Sequence, residues 1–521
     1  MESLQQGESR RSARVTVLVM VCTALSRLLG FVRIAVIGAV FGASGVADVW
    51  NAVFTVPNNL RKLMAEGALS SAFIPALSAS LVRDPNRHES RDLAARVLTL
   101  QMVILIPLTV LCVVFSRQAV GLLFSFDDPG KMDLSASLFG WVFAYIVLIS
   151  LSAVLMAVLN SHSVFVLPAL TPILFSITVI GATLLFYRQM GIYSMVVGVG
   201  IGGLAQVIVQ LPRYFSLGYR LKPDLGFRDP GFVSVLKAWV PVLASASIFA
   251  ATEQIAVLFA SGLEDGSTSA LSYALVFFQL PFGIFSISII TVLFPRMSRQ
   301  AAVGDLQGLS GSVSYGLRFT MILLVPAALL FLLLGRQIIA VSLERYRFTS
   351  QATLATYRVL AAYSLGLFSL GGFTFLQRFF YASRNYLTPL AVALVVSATD
   401  IAFSLWLKQT SLRVTGLAYA NTIAFSVGLI VLLVAARRRL GTLNGPLVLR
   451  TTLRTVASMV PFVGFLLLYL RLTRSWWTPG STLANLVVLL GALLGSVAIV
   501  LLMYWLLRVE MVRDFLKRRA S

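Results

Sequence analysis

Six ionisable residues, Arg27, Arg33, Asp48, Arg61, Lys62 and Glu66, are spread through a stretch from Val15 to Leu81 that is otherwise apolar and of membrane-spanning length. A charge at the centre of a membrane helix costs at least ~2.5 kcal/mol on insertion scales, so six of them in two consecutive spans imply a shared aqueous cavity. Interhelical pairing with Asp48 and Glu66 accounts for one or two of the cations, and the positive excess that remains calls for an anion. Pro57 removes a backbone donor and clashes one turn back, which predicts a kink in the second span and space for side chains to line. Beyond it, helical spacing puts Asn58, Arg61, Lys62 and Glu66 on one broad face. There Lys62 and Glu66 can pair, which leaves Arg61 to meet Arg27 or Arg33. Arginine suits such a site because it keeps its charge and its planar fork matches two phosphate oxygens at once.

A second set of polar residues lies further along. Glu253 and Asp400 each interrupt an apolar segment, and an acid so placed needs a counter-charge or a proton. Joined by Ser404, Asn421 and Thr422, they offer hard oxygen ligands for sodium or a proton as coupling ion. A single protonated carboxyl bonded to a neighbouring helix satisfies the same residues. Gln377-Arg378 and Ser383-Arg384 read as interfacial anchors. No organic cofactor is expected.

The elements that must position these groups are membrane helices. Of the 521 residues 58% are apolar and 12% are charged, and the mean hydropathy is +0.88, which leaves too little polar surface for a soluble protein of this length. Apolar windows of roughly 20 residues recur from end to end, about fourteen in all. They begin near residues 15, 47, 96, 137, 165, 191, 236, 269, 313, 355, 386, 414, 450 and 482. The expected fold is an all-α polytopic membrane protein: a tail over 1–14, a six-helix lobe over 15–215, a second over 216–440, two appended helices over 441–508, and a tail over 509–521.

The net charge of +22 does not mark a nucleic-acid binder, because the basic residues sit at helix ends rather than on a compact polar domain. Arg83, Arg87, Arg91 and Arg96, then Arg213, Arg220, Lys222, Arg228 and Lys237, then Arg437, Arg438, Arg439, Arg450 and Arg454 all fall in alternate loops. That asymmetry places these loops and both termini in the cytoplasm. The polar start is not a cleavable signal peptide. Cys22 and Cys112 lie inside apolar runs, so neither a disulfide nor structural zinc is expected.

A weak internal repeat appears at an offset of about 220 residues, and repeats in transporters usually flank the transport site. Leu159 to Pro172 resembles Tyr381 to Pro389, each a short turn that re-enters through proline. Phe54-Thr-Val-Pro57 likewise echoes Phe278-Gln-Leu-Pro281, with a second proline following at Pro75 and Pro295.

The run Ser26-Arg27-Leu-Leu-Gly30-Phe31-Val-Arg33, with Phe41-Gly42-Ala43, Ala47-Asp48, Pro57-Asn58-Asn-Leu60-Arg61-Lys62, Ala65-Glu66-Gly67-Ala68 and Phe73-Ile74-Pro75, closely resembles the MurJ (MviN) lipid II flippase family. Leu159-Asn160, Pro168-Ala169, Pro172, Gln210-Leu211-Pro212, Thr388-Pro389 and Gly416-Leu417 extend the resemblance along the chain. It implies a fourteen-helix member of the multidrug/oligosaccharidyl-lipid/polysaccharide exporter superfamily in the bacterial inner membrane. Such a protein is a transporter and not an enzyme, and it carries the undecaprenyl-diphosphate-linked peptidoglycan precursor from the inner to the outer leaflet. By the resemblance Arg27, Arg33 and Arg61 contact the diphosphate or head group, Asp48 and Glu66 support cavity geometry and gating, and the last two spans form a groove for the polyprenyl tail. Family sodium sites lie between the seventh, eleventh and twelfth spans, a region that Asp400 and Ser404 match. The chain departs from the pattern at Ile34, where an acid is usual, at Val276, where an arginine is usual, and at Gln279 and Ala256, where acidic or polar residues are usual.

Other readings fit parts of the pattern. An exporter of a different polyprenyl-diphosphate-linked glycan would use the same arginines. A drug or cation antiporter of the superfamily would place acids in the first lobe, against the charge balance here. A membrane-embedded enzyme would need a clustered acid/base or metal constellation, and the two histidines, His88 and His162, are near no acidic cluster. A non-transporting scaffold would bind cell-wall synthesis proteins through its basic loops. Besides the lipid-linked substrate, the partners expected are membrane lipids and such proteins, and no nucleic acid.

Overall fold

The computed structural model describes residues 2–63, 73–84, 86–478 and 482–509, and among these every regular element is helical. The first half holds α1 (Glu2–Phe41), α2 (Gly45–Arg61), α3 (Ile74–Arg83), α4 (His88–Val114), α5 (Ser116–Leu123), α6 (Pro129–Ser161), α7 (Val166–Met190), α8 (Tyr193–Ser216) and α9 (Pro230–Ser261). There follow α10 (Ser267–Pro281), a π-helical segment (Phe282–Ser286), α11 (Ile287–Ala302), α12 (Leu306–Leu343), α13 (Ser350–Leu365), α14 (Leu367–Ala382), α15 (Leu387–Leu407), α16 (Val414–Leu440), α17 (Gly445–Leu472), a short 3-10 turn and α18 (Thr482–Leu506).

Every expected span start falls on one of these helices or beside its first turn. The count of fourteen is not reached by length and apolarity alone. Among the described residues eleven helices are long and apolar enough to cross a bilayer, or twelve if α13 and α14, bent by 46° at Gly366, form one span. The shortfall falls on α2 and α9, the helices that carry Asp48, Arg61 and Glu253. Helices also begin earlier than the apolar windows, because polar caps add a turn or more. Asp128, Asp229, Asp305 and Thr349 each accept a hydrogen bond from a backbone N–H in the first turn of the helix that follows, satisfying a donor that the helix itself leaves open.

The chain forms two compact units, Met1–Thr268 and Ser269–Ser521. In the first, α6 runs at the centre against α2, α4 and α8, and α7 packs along α8 and α1. The α7–α8 contact is close because Gly198 lies under Val179, where a Cβ would come within 2.7 Å of the Val179 Cα. In the second, α15 and α16 meet in the same manner: a Cβ on Gly416 would stand 2.8 Å from the Leu407 carbonyl oxygen. There α12 buries Ile322 and Leu334 against Met459, Phe462 and Leu466 of α17 and Leu489 and Ala492 of α18, and the Tyr504 hydroxyl donates to the Ile322 carbonyl at 2.7 Å.

The repeat is visible within each unit. Helices start at 45 and 267, 88 and 306, 129 and 350, 166 and 387, and 193 and 414, each pair separated by about 220 positions. The two prolines that echo one another also act alike: π-helical turns follow Pro57 at 62–63 and Pro281 at 282–286.

One end of the first unit gathers basic loops. Arg96 of α4 reaches Asp224 at 3.0 Å and Asp229 at 3.2 Å, clamping the α8–α9 connection. Beside it His162 meets the Tyr219 hydroxyl at 2.9 Å, which itself donates to Ser90. Burial and the Arg87 and Arg213 charges hold His162 below the usual imidazole range. Gly416→Ala should push α15 from α16 and cost about 1–3 kcal/mol of stability by overpacking, read as a lowered unfolding midpoint of the detergent-solubilised protein. An unchanged midpoint would show that the two helices do not depend on this approach.

A candidate anion site in the first unit

The site is built on α2. Ser44 caps the helix by accepting from the Ala47 N–H, Trp50 stacks on Phe54 with centroids 5.4 Å apart, and Pro57 is buried. These contacts anchor α2, whose far end bears Arg61 and Lys62. The Arg61 guanidinium donates through Nε and Nη2 to Asn58 Oδ1, both at 3.3 Å. Lys62 Nζ donates to Asn59 Oδ1 at 3.3 Å and to both carboxylate oxygens of Glu253 at 3.1 and 3.0 Å. Asn58, Arg61, Lys62 and Glu253 are half-buried, and Asn59 is buried. Glu66, the partner expected for Lys62, lies outside the described residues, and the carboxylate that Lys62 holds is Glu253.

Arg33 of α1 stands over the Phe175 ring of α7 at 5.2 Å from its centroid, and Phe175 stacks on Tyr145 of α6 at 5.4 Å. The Arg33 and Arg61 guanidinium groups are near enough to act on one another, and both act on the Tyr145 hydroxyl. Two like charges thus lie within electrostatic range of one another, and an aromatic ring meets one of them. Repulsion between them is relieved by an anion, and a diphosphate with several oxygens can meet both forks. Arg27 is exposed on α1, and no hydrogen bond or ion pair joins it to the others among the described residues.

Asp48 is 3% exposed at the start of α2, and its Oδ2 accepts from the Gly266 N–H at 2.6 Å. Gly266 has φ +90° and sits against the Ala43 carbonyl, a conformation open to glycine. Beside it Lys131 of α6 pairs with Asp265. Lys62–Glu253 ties the end of α2 to α9, and Asp48, about 20 Å back along α2 at 1.5 Å rise per residue, holds the loop that follows α9.

The second set lies in the other unit. Asp400 is 4% exposed, and it accepts from Ser404 Oγ at 3.2 Å and from Asn421 Nδ2 at 3.1 Å. No cation pairs with it among the described residues. Thr422 donates instead to the Ala362 carbonyl at 2.8 Å. The structure therefore joins Asp400, Ser404 and Asn421 and gives Glu253 a partner in its own unit.

Tyr145, Phe175 and Asn59 were not singled out by sequence reasoning. Aromatic residues are common in apolar spans, and nothing in their spacing sets these two apart. A signal for Lys62–Glu253 did exist: Glu253 is a lone acid in an apolar segment and needs a counter-charge, and Lys62 is one of the cations in excess in the first two spans.

The profile of the family described as "Lipid II flippase MurJ" matches residues 37–488. A "Probable lipid II flippase MurJ" of Borreliella burgdorferi is 32% identical over 97% of this chain and 98% of its own length. A "Lipid II flippase MurJ" of Burkholderia cenocepacia is 30% identical over 72% of this chain and 74% of its own. A solved structure described as "Lipid II flippase MurJ, inward closed conformation" aligns with a TM-score of 0.76 and 25% identity, over 96% of this chain and 100% of that one. An inward-facing MATE transporter of the MOP superfamily, 13% identical with a TM-score of 0.66 over 82% of this chain and 99% of that one, shares the fold.

Arg33→Ala or Arg61→Ala should weaken binding of a prenyl diphosphate to the purified protein by about 10- to 150-fold, the loss of one charge-assisted contact of ~1.5–3 kcal/mol. Lys at either position should restore only part, since an ammonium offers no fork. Wild-type affinity in both alanine variants would break the link between these arginines and an anion.

Proposed function

The chain belongs to the lipid II flippase MurJ family, and on that premise we propose that it carries lipid II, the undecaprenyl-diphosphate-linked peptidoglycan precursor, from the inner to the outer leaflet by alternating access. The observation that supports this most directly is the concentration of arginine charge in otherwise apolar helices, with Arg33 over the Phe175 ring and Arg61 within its electrostatic range. An anionic head group suits that concentration, and the lipid tail explains why it is built inside a membrane protein. Arg27, Asn58 and Lys62 complete the binding face, with Asp48 and Glu66 shaping the cavity and its gating. The protein acts as a carrier and makes or breaks no covalent bond. Both termini and the basic loops face the cytoplasm, where the loops are available to cell-wall synthesis proteins.

The two six-helix lobes, over 15–215 and 216–440, move about the substrate, and the helices beyond 441 serve the polyprenyl tail. An inside-negative potential already favours outward passage of the anionic head group by about 2.3 kcal/mol per charge per 100 mV. Return of the empty carrier is the step that needs a cation. Asp400, with the Ser404 hydroxyl and the Asn421 amide beside it, fits sodium or a proton: the carboxylate is buried and its partners are neutral, so the site gains by accepting one positive charge.

In a bacterium depleted of its own lipid II flippase, this chain should restore growth and outer-leaflet lipid II, measured by labelling of the exposed precursor. Growth without outer-leaflet lipid II would favour a scaffold, and neither would refute the assignment. Asp400→Asn should slow turnover severalfold and flatten its dependence on sodium and pH while leaving substrate binding near wild type. A variant that keeps the wild-type dependence would show that Asp400 is structural.

A further inference from the structure

Lys62 stands beside Arg61 on the face assigned to the substrate anion, yet its ammonium is already held by the Glu253 carboxylate through two contacts of 3.0 and 3.1 Å. The pair is about one-third exposed on both sides, so water reaches it and its net strength is modest. A carboxylate bound through both oxygens to a lysine presents the same charge and donor demand as one face of a phosphate. Next to it, Asn59 is 5% exposed. Its Oδ1 faces the lysine, which leaves Nδ2 a buried donor without an acceptor among the described residues. The orientation of the amide follows from its neighbour, because Nζ can only donate. An oxygen-rich anion arriving here would find a cation and a neutral donor beside Arg61.

We propose that Glu253 is an internal substitute for the substrate's phosphate: it neutralises Lys62 in the unloaded carrier and is displaced from it when the diphosphate binds. This rests on the reading of the α2 face as the diphosphate site. Displacement has a mechanical consequence. Lys62–Glu253 is a polar tie between the end of α2 and α9, and Asp48 holds Gly266 of the loop that follows α9. Loading would release the first, leaving α9 bonded to Leu123 through Gln254 and to Ser125 through Ser261, so that occupancy at α2 weakens the hold of α2 on α9. No covalent chemistry is involved, and the exchange conserves charge: the anion that leaves the lysine is replaced by the anion that arrives.

Competition makes a prediction opposite in sign to that of a structural tie. With the full-length protein in nanodiscs and undecaprenyl diphosphate as the probe, Glu253→Gln should bind more tightly than wild type, by roughly two- to fivefold, as expected for removing a partly exposed competitor. Lys62→Met should bind more weakly. In the Lys62→Met background, Glu253→Gln should have no further effect, because there is no lysine left to release. Glu253→Asp, one methylene shorter, provides a second variant in case the amide folds poorly, and it should shift affinity in the same direction. Equal or weaker binding by both Glu253 variants would overturn the proposal. Tightening that persists without Lys62 would also overturn it, since that would reflect only the general field of a removed negative charge. Loss of the underlying reading looks different: wild type would then fail to bind the probe, or Arg61→Ala would bind it as well as wild type does.

Discussion

A charge placed among apolar helices has to be neutralised where it stands, and in this protein that requirement organises the first unit. Lys62 and Glu253 would each be costly alone in a span, and they meet where the end of α2 packs against α9. At the other end of α2, Asp48 accepts from the Gly266 N–H in the loop that follows α9. These two ties, with Arg96 clamping the connection that leads into α9, explain why the first compact unit extends to Thr268 and takes in the helix that follows the six of the first repeat. Partial exposure of the central pair keeps it weak enough to exchange, whereas Asp48 is buried and its bond is with backbone.

The arginines are treated differently from the lysine. Arg33 stands over an aromatic ring and Arg61 donates to the Asn58 amide, neighbours that orient a guanidinium. Cation–π contact with Phe175 contributes roughly 0.5–2 kcal/mol. Lys62, by contrast, is held by a carboxylate. In the second unit Asp400 presents the complementary case: a buried acid surrounded by neutral donors, which suits a small cation or proton rather than a lipid head group.

Repetition sets the frame that holds these sites. Helix starts recur at a near-constant offset, and proline followed by a widened turn recurs with them, so a local backbone defect has been kept twice. The close approaches at Gly198 and Gly416 recur in the same way, each between the last two helices of a repeat. Packing of this kind relies on small residues because lipid supplies no hydrophobic drive between helices.

The sequence by itself determined that the chain is helical and embedded in a membrane, roughly where its spans fall, that it repeats, and that the first two spans carry an excess of positive charge suited to an anion. Those properties are local: apolar length, helix caps, prolines and charge can be read residue by residue. The number of spans was less legible, because α2, at 17 residues, is shorter than the helices that mark the other spans. Only the tertiary structure decided which charges meet. Helical spacing made Glu66 a natural partner for Lys62, and two lone acids suggested a shared ion site for Glu253 and Asp400. Instead Lys62 holds Glu253, 191 residues away, and Asp400 is met by Ser404 and Asn421. Tyr145 and Phe175 joined the arginine site without any sequence signal. Pairing across such distances depends on the register of helices packed side by side, which is set by the sum of many side-chain contacts and is encoded at no single position.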